Sequence, residues 1–313
     1  MAFSDSAKVW MNGALVPWKD ATVHVATHAL HYGTGVFEGI RAYEGRQGTN
    51  IFRLAPHMRR LYDSCRVYRM DIPFAYDDLN QAVIDTVAAN GFKSCYIRPL
   101  VHRGYGSLGV DPTPCPVEVS VIVWEWDAYL GADALEQGVD VGVSSWTRMA
   151  PNTFPSLAKA SANYANSGLI KMQSRVDGYA EGLALDASGL ISEGSGQNLF
   201  IVRDGVIYTP GLGSSILQGV TRDTVLTLAR DLGYEIREQA LPREFLYMCD
   251  EAFFCGTAVE ITPIRSFDHI QVGGGRRGPV TTALQQRFFA IITGEQPDTH
   301  GWLTPVPSTV AAR

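Results

Sequence analysis

Ile191-Ser192-Glu193-Gly194-Ser195-Gly196-Gln197-Asn198-Leu199-Phe200 sets one carboxylate in a glycine-rich turn that opens directly into an apolar strand. Downstream, 199–208 turns over at Asp204-Gly205, a dipeptide that suits the positive φ angles of a tight hairpin. Next, 221–232 reads as a helix, because Val225, Leu228 and Leu232 recur on one face and Gly233 stands where a C-cap belongs. Upstream, 164–175 has helical spacing and 139–146 a β pattern. The first third mixes elements in the same way. Strands are expected at 8–12, 37–43, 94–101 and 117–126, and helices at 56–68 and 77–89, the latter stopping at Asn90-Gly91. Strands and helices are interleaved in both halves, with no repeat or low-complexity tract, which predicts a mixed α/β (α+β) class.

At 313 residues the chain exceeds what one core normally serves, so two domains are expected. Hydrophobic content of 46% with 19% charged residues excludes disorder as the main theme. The net charge of -6 argues against nucleic acid or an anionic membrane as partner and favours small-molecule substrates. No apolar stretch approaches the length of a membrane span, and residues 1–20 have neither a basic region nor an apolar one of the kind that directs export, so a cytoplasmic protein is expected. Cys65, Cys95, Cys115, Cys249 and Cys255 show no CxxC and no zinc spacing. They read as reduced packing residues, and no metal site is expected.

Only five lysines are present, so candidates for an amine nucleophile can be compared singly. Lys8 and Lys19 flank polar or turn residues, Lys93 follows a glycine turn, and Lys171 lies among polar neighbours on a helix. Lys159 differs. In Ser156-Leu157-Ala158-Lys159-Ala160-Ser161-Ala162 every close neighbour is small or apolar, a setting that would desolvate the ammonium and favour the neutral amine that attacks an aldehyde. The same pattern fits a lysine whose stem lies on a small-residue surface with its charge in water.

Three further segments bear on that choice. A buried acid at Glu193 would keep a ring nitrogen protonated, as pyridoxal-5′-phosphate (PLP) needs in order to act as an electron sink. A solvated turn acid would look the same. Ser214-Ser215-Ile216-Leu217-Gln218-Gly219-Val220-Thr221-Arg222 brings glycine and hydroxyl residues to a helix N-terminus, where an anion is favoured. Phe254-Cys255-Gly256-Thr257-Ala258 offers a second small turn with a hydroxyl, and Arg60 a bidentate cation. Finally, Tyr96 and Arg98 stand two residues apart on one strand face, where both could meet a carboxylate. Tyr32, Phe37, Trp126, Tyr129 and Tyr164 would supply an apolar wall, or else ordinary core.

Taken in order, His28-Ala29-Leu30-His31-Tyr32-Gly33-Thr34-Gly35-Val36-Phe37-Glu38-Gly39-Ile40-Arg41, Tyr96-Ile97-Arg98-Pro99, Gly109-Val110-Asp111-Pro112, Ser156 to Lys159, Ile191 to Gly194 and Gly256-Thr257-Ala258-Val259-Glu260-Ile261-Thr262-Pro263 resemble the branched-chain aminotransferases of the class-IV PLP transaminase family. The resemblance runs from about Lys8 to Trp302. It implies a two-domain, fold-type-IV enzyme: a smaller N-terminal α/β domain over 1–126, a linker over 127–138, and a larger mixed C-terminal domain over 139–313, with PLP between the domains. The implied reaction moves an amino group between L-leucine, L-isoleucine or L-valine and 2-oxoglutarate.

By the same resemblance Lys159 is the Schiff-base lysine and proton shuttle, Glu193 pairs with the pyridine nitrogen, Tyr164 meets the cofactor's 3-oxygen, and Leu217 packs on the ring. Arg60, Val220, Thr221 and Thr257 would bind the phosphate. The Thr257-Ala258 turn and Tyr96 would receive the substrate α-carboxylate. Arg98 with Tyr32 would meet the glutamate side chain, while Gly39, Phe37, Trp126, Tyr129 and Tyr164 line the rest of the pocket. Leu108 and Val110 would reach the neighbouring subunit's pocket in a homodimer or higher assembly. Val101-His102-Arg103-Gly104-Tyr105 departs from the apolar segment expected after the Arg-Pro pair, and an inward Arg103 would add charge to the carboxylate site. A D-amino-acid or (R)-amine transaminase would keep Lys159 and Glu193 but rebuild the carboxylate-binding face. An aminodeoxychorismate-type lyase would need no dual aliphatic and glutamate pocket, and a non-catalytic metabolite-binding protein on this fold would be colourless.

Overall fold

The structure is a computed structural model that describes residues 7–126, 130–131 and 133–308. Elements follow in chain order. The first stretch carries β1 (Lys8–Met11), β2 (Ala14–Pro17), α1 (His28–Tyr32), β3 (Gly35–Phe37), β4 (Ile40–Gly45), β5 (Gly48–Phe52), α2 (Leu54–Val67), α3 (Tyr76–Asn90), β6 (Cys95–Arg103) and β7 (Val117–Trp124). Then come α4 (Ala134–Gln137), β8 (Val139–Val143), α5 (Asn163–Val176), β9 (Glu181–Leu185), β10 (Ile191–Gly194), β11 (Asn198–Arg203) and β12 (Val206–Thr209). The chain continues through α6 (Val220–Asp231), β13 (Ile236–Glu238), β14 (Glu251–Gly256), β15 (Glu260–Phe267), β16 (Ile270–Gln271), α7 (Pro279–Ile292) and β17 (Leu303–Pro305). The class is mixed α/β, as expected.

Two compact units form. The first gathers the described residues up to 126 together with 158–162 and those from 290 onward; the second holds the described residues of 128–157 and 163–289. This differs from a contiguous division at 126 and 139, and the reasons are hydrogen bonds. Ala158–Ala162 lies along β3, where Phe37 N–H donates to Lys159 O at 3.0 Å and Ser161 N–H donates to Gly35 O at 2.8 Å. Residues beyond 290 return because β17 pairs antiparallel with β5, Leu303 opposite Phe52.

In the first unit the strands run β17-β5-β4-β6-β7-β1-β2, with β3 added beside β6. Alternation along β6 and β7 buries Ile97, Val101, Val119 and Val121 against α2 and α3, whose Met58, Leu61, Leu79 and Val83 are fully buried. Each such side chain contributes roughly 1.5–3 kcal/mol on burial. The strand expected over 37–43 is broken into β3 and β4. Pro99 in the middle of β6 explains the break, because it has no N–H to offer a continuous partner, so β3 pairs with 100–102 and β4 with 95–97. Glu38 and Gly39 fill the interruption.

In the second unit the order is β10-β9-β8-β15-β14-β11-β12-β13, with β16 on β15. Its core centres on Phe254, Phe267, Leu199 and Ile201. Glu193 lies on the short strand β10 rather than in the turn that follows it. Helix α6 ends as its sequence indicates, with Leu232 as C-cap and Gly233 at φ +79°, although Leu232 is 41% exposed and leaves the face shared by Val225 and Leu228.

Candidate functional site

In the first unit the site is built on the broken strand. Lys159 is clamped through its main chain on both sides: Phe37 N–H donates to its carbonyl, and its own N–H donates to Ser64 Oγ at 3.0 Å. Its neighbours Ala158 and Ala160 are buried, in agreement with the small-residue setting. The Lys159 Nζ stands 4.9 Å from the centre of the Phe37 ring, and the Arg98 guanidinium 4.7 Å from the same centre. One aromatic ring thus serves two cations, an arrangement that an anionic ligand would relieve.

Arg98 also lies over Tyr96 and Trp124, each at 5.6 Å. Its Nε is buried with no hydrogen-bond partner among the described residues. A buried N–H of a guanidinium without an acceptor costs free energy, so this group is suited to take a carboxylate ligand. Tyr96 packs edge-on to Trp126 at 4.5 Å, and Arg41 Nη2 holds Trp126 by its carbonyl at 2.9 Å. Gly39 is required here by close approach, since a Cβ would overlap the Tyr96 hydroxyl. Tyr129 lies outside the described residues.

Glu38, fully buried, turns from the strand break toward α2. Arg60 Nε and Nη2 donate to its two oxygens at 2.6 and 2.8 Å, and His57 Nδ1 donates to Oε2 at 2.7 Å. Burial opposes ionisation of Glu38, but Arg60 and His57 outweigh it and hold the carboxyl well below the usual carboxylate range. Burial lowers the His57 pKa, with Glu38 opposing that effect and Arg60 and Lys159 adding to it.

Tyr32, Leu108 and Val110 lie on the outside, 44%, 53% and 88% exposed. The loop bearing Leu108 and Val110 is tied to α1 by His28, whose Nε2 donates to Gly109 O at 2.7 Å while Nδ1 meets the Thr34 hydroxyl at 2.8 Å. Arg103 does not add charge to the Arg98 cluster. Its two terminal nitrogens donate to the carbonyls of Cys115 and Arg69, at 3.0 and 2.6 Å, and so brace the same loop.

In the second unit Glu193 is almost out of water and fully engaged. Arg148 Nη2 donates to Oε1 at 2.7 Å, and Asn198 Nδ2 and the Leu217 N–H donate to Oε2 at 3.1 and 2.9 Å. Arg148 is itself held by Asn166 and Ser167. Asn198 Nδ2 also donates to Leu217 O, and its Oδ1 fills the space that a Cβ would need at Gly219, the N-cap of α6. Hence Glu193, Leu217 and the helix start bearing Val220 and Thr221 form one connected group. That cap makes no side-chain hydrogen bond, and both helix residues are buried, which suits an anion at the helix N-terminus. Arg222 turns away, donating to Pro210 O and Glu238.

Thr257 and Ala258 occupy the turn between β14 and β15, and the Cβ position of Gly256 lies 3.6 Å from Gly196 O in the turn after Glu193. That turn is braced by buried Glu181, which accepts from Ser195, Gln197 and Lys171. Tyr164 is in the first turn of α5. The residues expected of the site thus fall into two sets, Lys159, Arg60, Phe37, Gly39, Tyr96, Arg98 and Trp126 in one unit and Tyr164, Glu193, Leu217, Val220, Thr221, Thr257 and Ala258 in the other.

Sequence reasoning missed Glu38, His57, Ser64, Arg148 and Asn198. For α2 a signal existed, since His57, Arg60 and Ser64 recur at three and four residues on an otherwise apolar helix face. Arg148 carries none, standing alone beyond β8. The described residues hold no metal-binding group of His, Cys, Asp or Glu, and no helix among them is long and apolar enough to cross a membrane.

The family model described as amino-transferase class IV matches residues 35–267. A branched-chain-amino-acid aminotransferase of Salmonella typhimurium is 54% identical over 301 residues, covering 96% of this chain and 97% of that protein. The crystal structure of the Escherichia coli branched-chain amino acid aminotransferase superposes with a TM-score of 0.95 at 52% identity, covering 96% of this chain and all of the other. The archaeal branched-chain aminotransferase of Thermoproteus uzoniensis, solved with norvaline, gives 0.92 at 42% identity, covering 96% of this chain and all of that one.

Proposed function

Because this chain belongs to the class-IV amino-transferase family, we propose that it is a PLP-dependent branched-chain-amino-acid aminotransferase, moving an amino group reversibly between L-leucine, L-isoleucine or L-valine and 2-oxoglutarate. The observation that carries the reading is the placement of Lys159 and Arg98 over one Phe37 ring, an amine and a carboxylate receptor in a shared aromatic setting.

The residues fit the cofactor. Glu193, held by three donors, supplies the fixed negative charge that a protonated pyridine nitrogen requires. Leu217 would pack on the ring, Tyr164 would donate to its 3-oxygen, and Arg60, Val220, Thr221 and Thr257 would hold the phosphate. When bound, PLP supplies an aldehyde that condenses with amines and a ring that accepts the electron pair left when the α-proton departs.

Lys159 would be the amine that holds the cofactor, and once released its Nζ would carry the proton between the substrate α-carbon and the cofactor's C4′. Its main-chain clamp restricts where Nζ can travel. Tyr96 and the Thr257-Ala258 turn would receive the α-carboxylate. Phe37, Trp126, Tyr129 and Tyr164 would supply the apolar wall for leucine, isoleucine and valine, and Arg98 with Tyr32 would meet the second carboxylate of glutamate. Both substrates use one pocket in turn, so the cycle is ping-pong. Exposed Val25, Leu30, Leu108 and Val110 favour a homodimer as the minimum assembly.

Two variants test the reading. Lys159→Ala is expected to abolish turnover while still binding PLP, and near-normal turnover would refute the assignment. Arg98→Ala should damage kcat/KM for glutamate and 2-oxoglutarate more than for leucine or valine; equal losses would remove its selective role. Activity with D-alanine or an (R)-amine exceeding that with L-leucine would move the chain to another transaminase class.

A further inference from the structure

We propose that Glu38 is the positioning residue for Arg60: its buried carboxylate grips the guanidinium by Nε and Nη2 and sets the direction in which Arg60 meets the cofactor phosphate, a role that rests on the phosphate assignment of Arg60 above. At the strand break over 38–39 the Glu38 N–H still donates to Pro99 O at 2.9 Å, while its side chain reaches Arg60 and His57 on α2. Two parallel N–H···O bonds leave the planar guanidinium one orientation, where a single bond would let it swing. His57, at 2% exposure, donates to the same carboxylate and keeps it from shifting.

The cluster is asymmetric. Glu38 has no exposure, whereas the Arg60 side chain keeps 13%, so the cation is the accessible end of the pair and the anion its anchor. The same α2 face registers Lys159 through Ser64, so one helix sets both the arginine and the lysine. A pair placed only to neutralise charge would work against anion binding, because Glu38 cancels much of the positive field of Arg60. Positioning and neutralisation therefore predict opposite signs when the charge is removed.

The test compares PLP with pyridoxal, which lacks the phosphate, by equilibrium binding to apoenzyme followed through cofactor absorbance. Glu38→Gln is expected to weaken PLP by roughly tenfold, the scale of one charge-assisted hydrogen bond, and to leave pyridoxal unchanged. Glu38→Asp keeps the charge but draws the carboxylate back by one methylene, so it should also weaken PLP selectively; it carries the same expectation if Glu38→Gln does not fold. In an Arg60→Met background, itself selectively poor in PLP, Glu38→Gln should add nothing.

Tighter or unchanged PLP binding in both Glu38 variants, or equal losses for PLP and pyridoxal, would overturn the proposal. Should Arg60→Met leave the preference for PLP over pyridoxal intact, the phosphate assignment of Arg60 fails and the role of Glu38 fails with it. Should Arg60→Met lose that preference while both Glu38 variants keep it, only the role of Glu38 fails.

Discussion

Glu193 and Arg148 show how much a single residue can depend on a partner that sequence spacing does not reveal. The two side chains are 5% and 6% exposed and meet at 2.7 Å. Two charges this deep in the protein are tolerable only together, so removing one leaves the other uncompensated. Arg148→Met is expected to lower stability by about 3–5 kcal/mol in urea unfolding. Adding Glu193→Gln to that variant should recover a large part of the loss, because the surviving group is then neutral; a double variant no better than the single one would mean that packing, not charge, dominates. Glu193 was legible because an acid in a glycine-rich run beside an apolar strand is chemically conspicuous. Arg148 was not, since nothing local to 148 distinguishes it from a surface arginine, and its role arises only when 148, 193 and 198 are folded together.

Helix α2 displays the same limits in a regular element. Its apolar period was readable, and the observed Leu54–Val67 starts and ends within two residues of the expected 56–68. The polar stripe of His57, Arg60 and Ser64 became meaningful only with the strand break opposite it. That break was misread as a continuous strand, because the lone Pro99 acts on a partner distant in the chain rather than on its own neighbours. His57 gives the element a pH signature. Its pKa is lowered by burial, so the unfolded chain takes up this proton before the folded one does. Stability should therefore be fully expressed above about pH 6.5 and fall as pH drops below that value. His57→Gln should flatten this part of the stability curve between about pH 7 and 5, measured by thermal unfolding. Glu38 acts in a separate, more acid window, since its carboxyl is also lowered and loses its contribution only beneath the ordinary carboxylate range. Ser64→Ala removes the acceptor of the Lys159 N–H, for an expected loss of about 1–3 kcal/mol; a change below about 0.5 kcal/mol would mean that water replaces it.

Across the whole molecule, composition was a sound guide. The five cysteines are all free and buried, and burial pushes the Cys65, Cys95 and Cys249 thiols up to about 12 and raises Cys255 further. An aromatic disulfide reagent at about pH 8 should react slowly with the native protein and with all five thiols after denaturation. Rapid native reaction of more than one thiol would contradict the burial. The mixed α/β class and the family were readable because the motifs occur in a fixed order along nearly the entire chain. The grouping of 158–162 and the last stretch with the first unit was not, since it depends on pairing between β3 and the lysine segment and between β17 and β5.

That grouping has a consequence for biosynthesis. A ribosome finishes residues 7–126 before it makes the lysine segment, and β17 follows only after the whole second unit has been made. The portion born first therefore waits on later segments for its completion, and a nascent chain halted near 290 would expose the unpaired margin of β5 to other polypeptides.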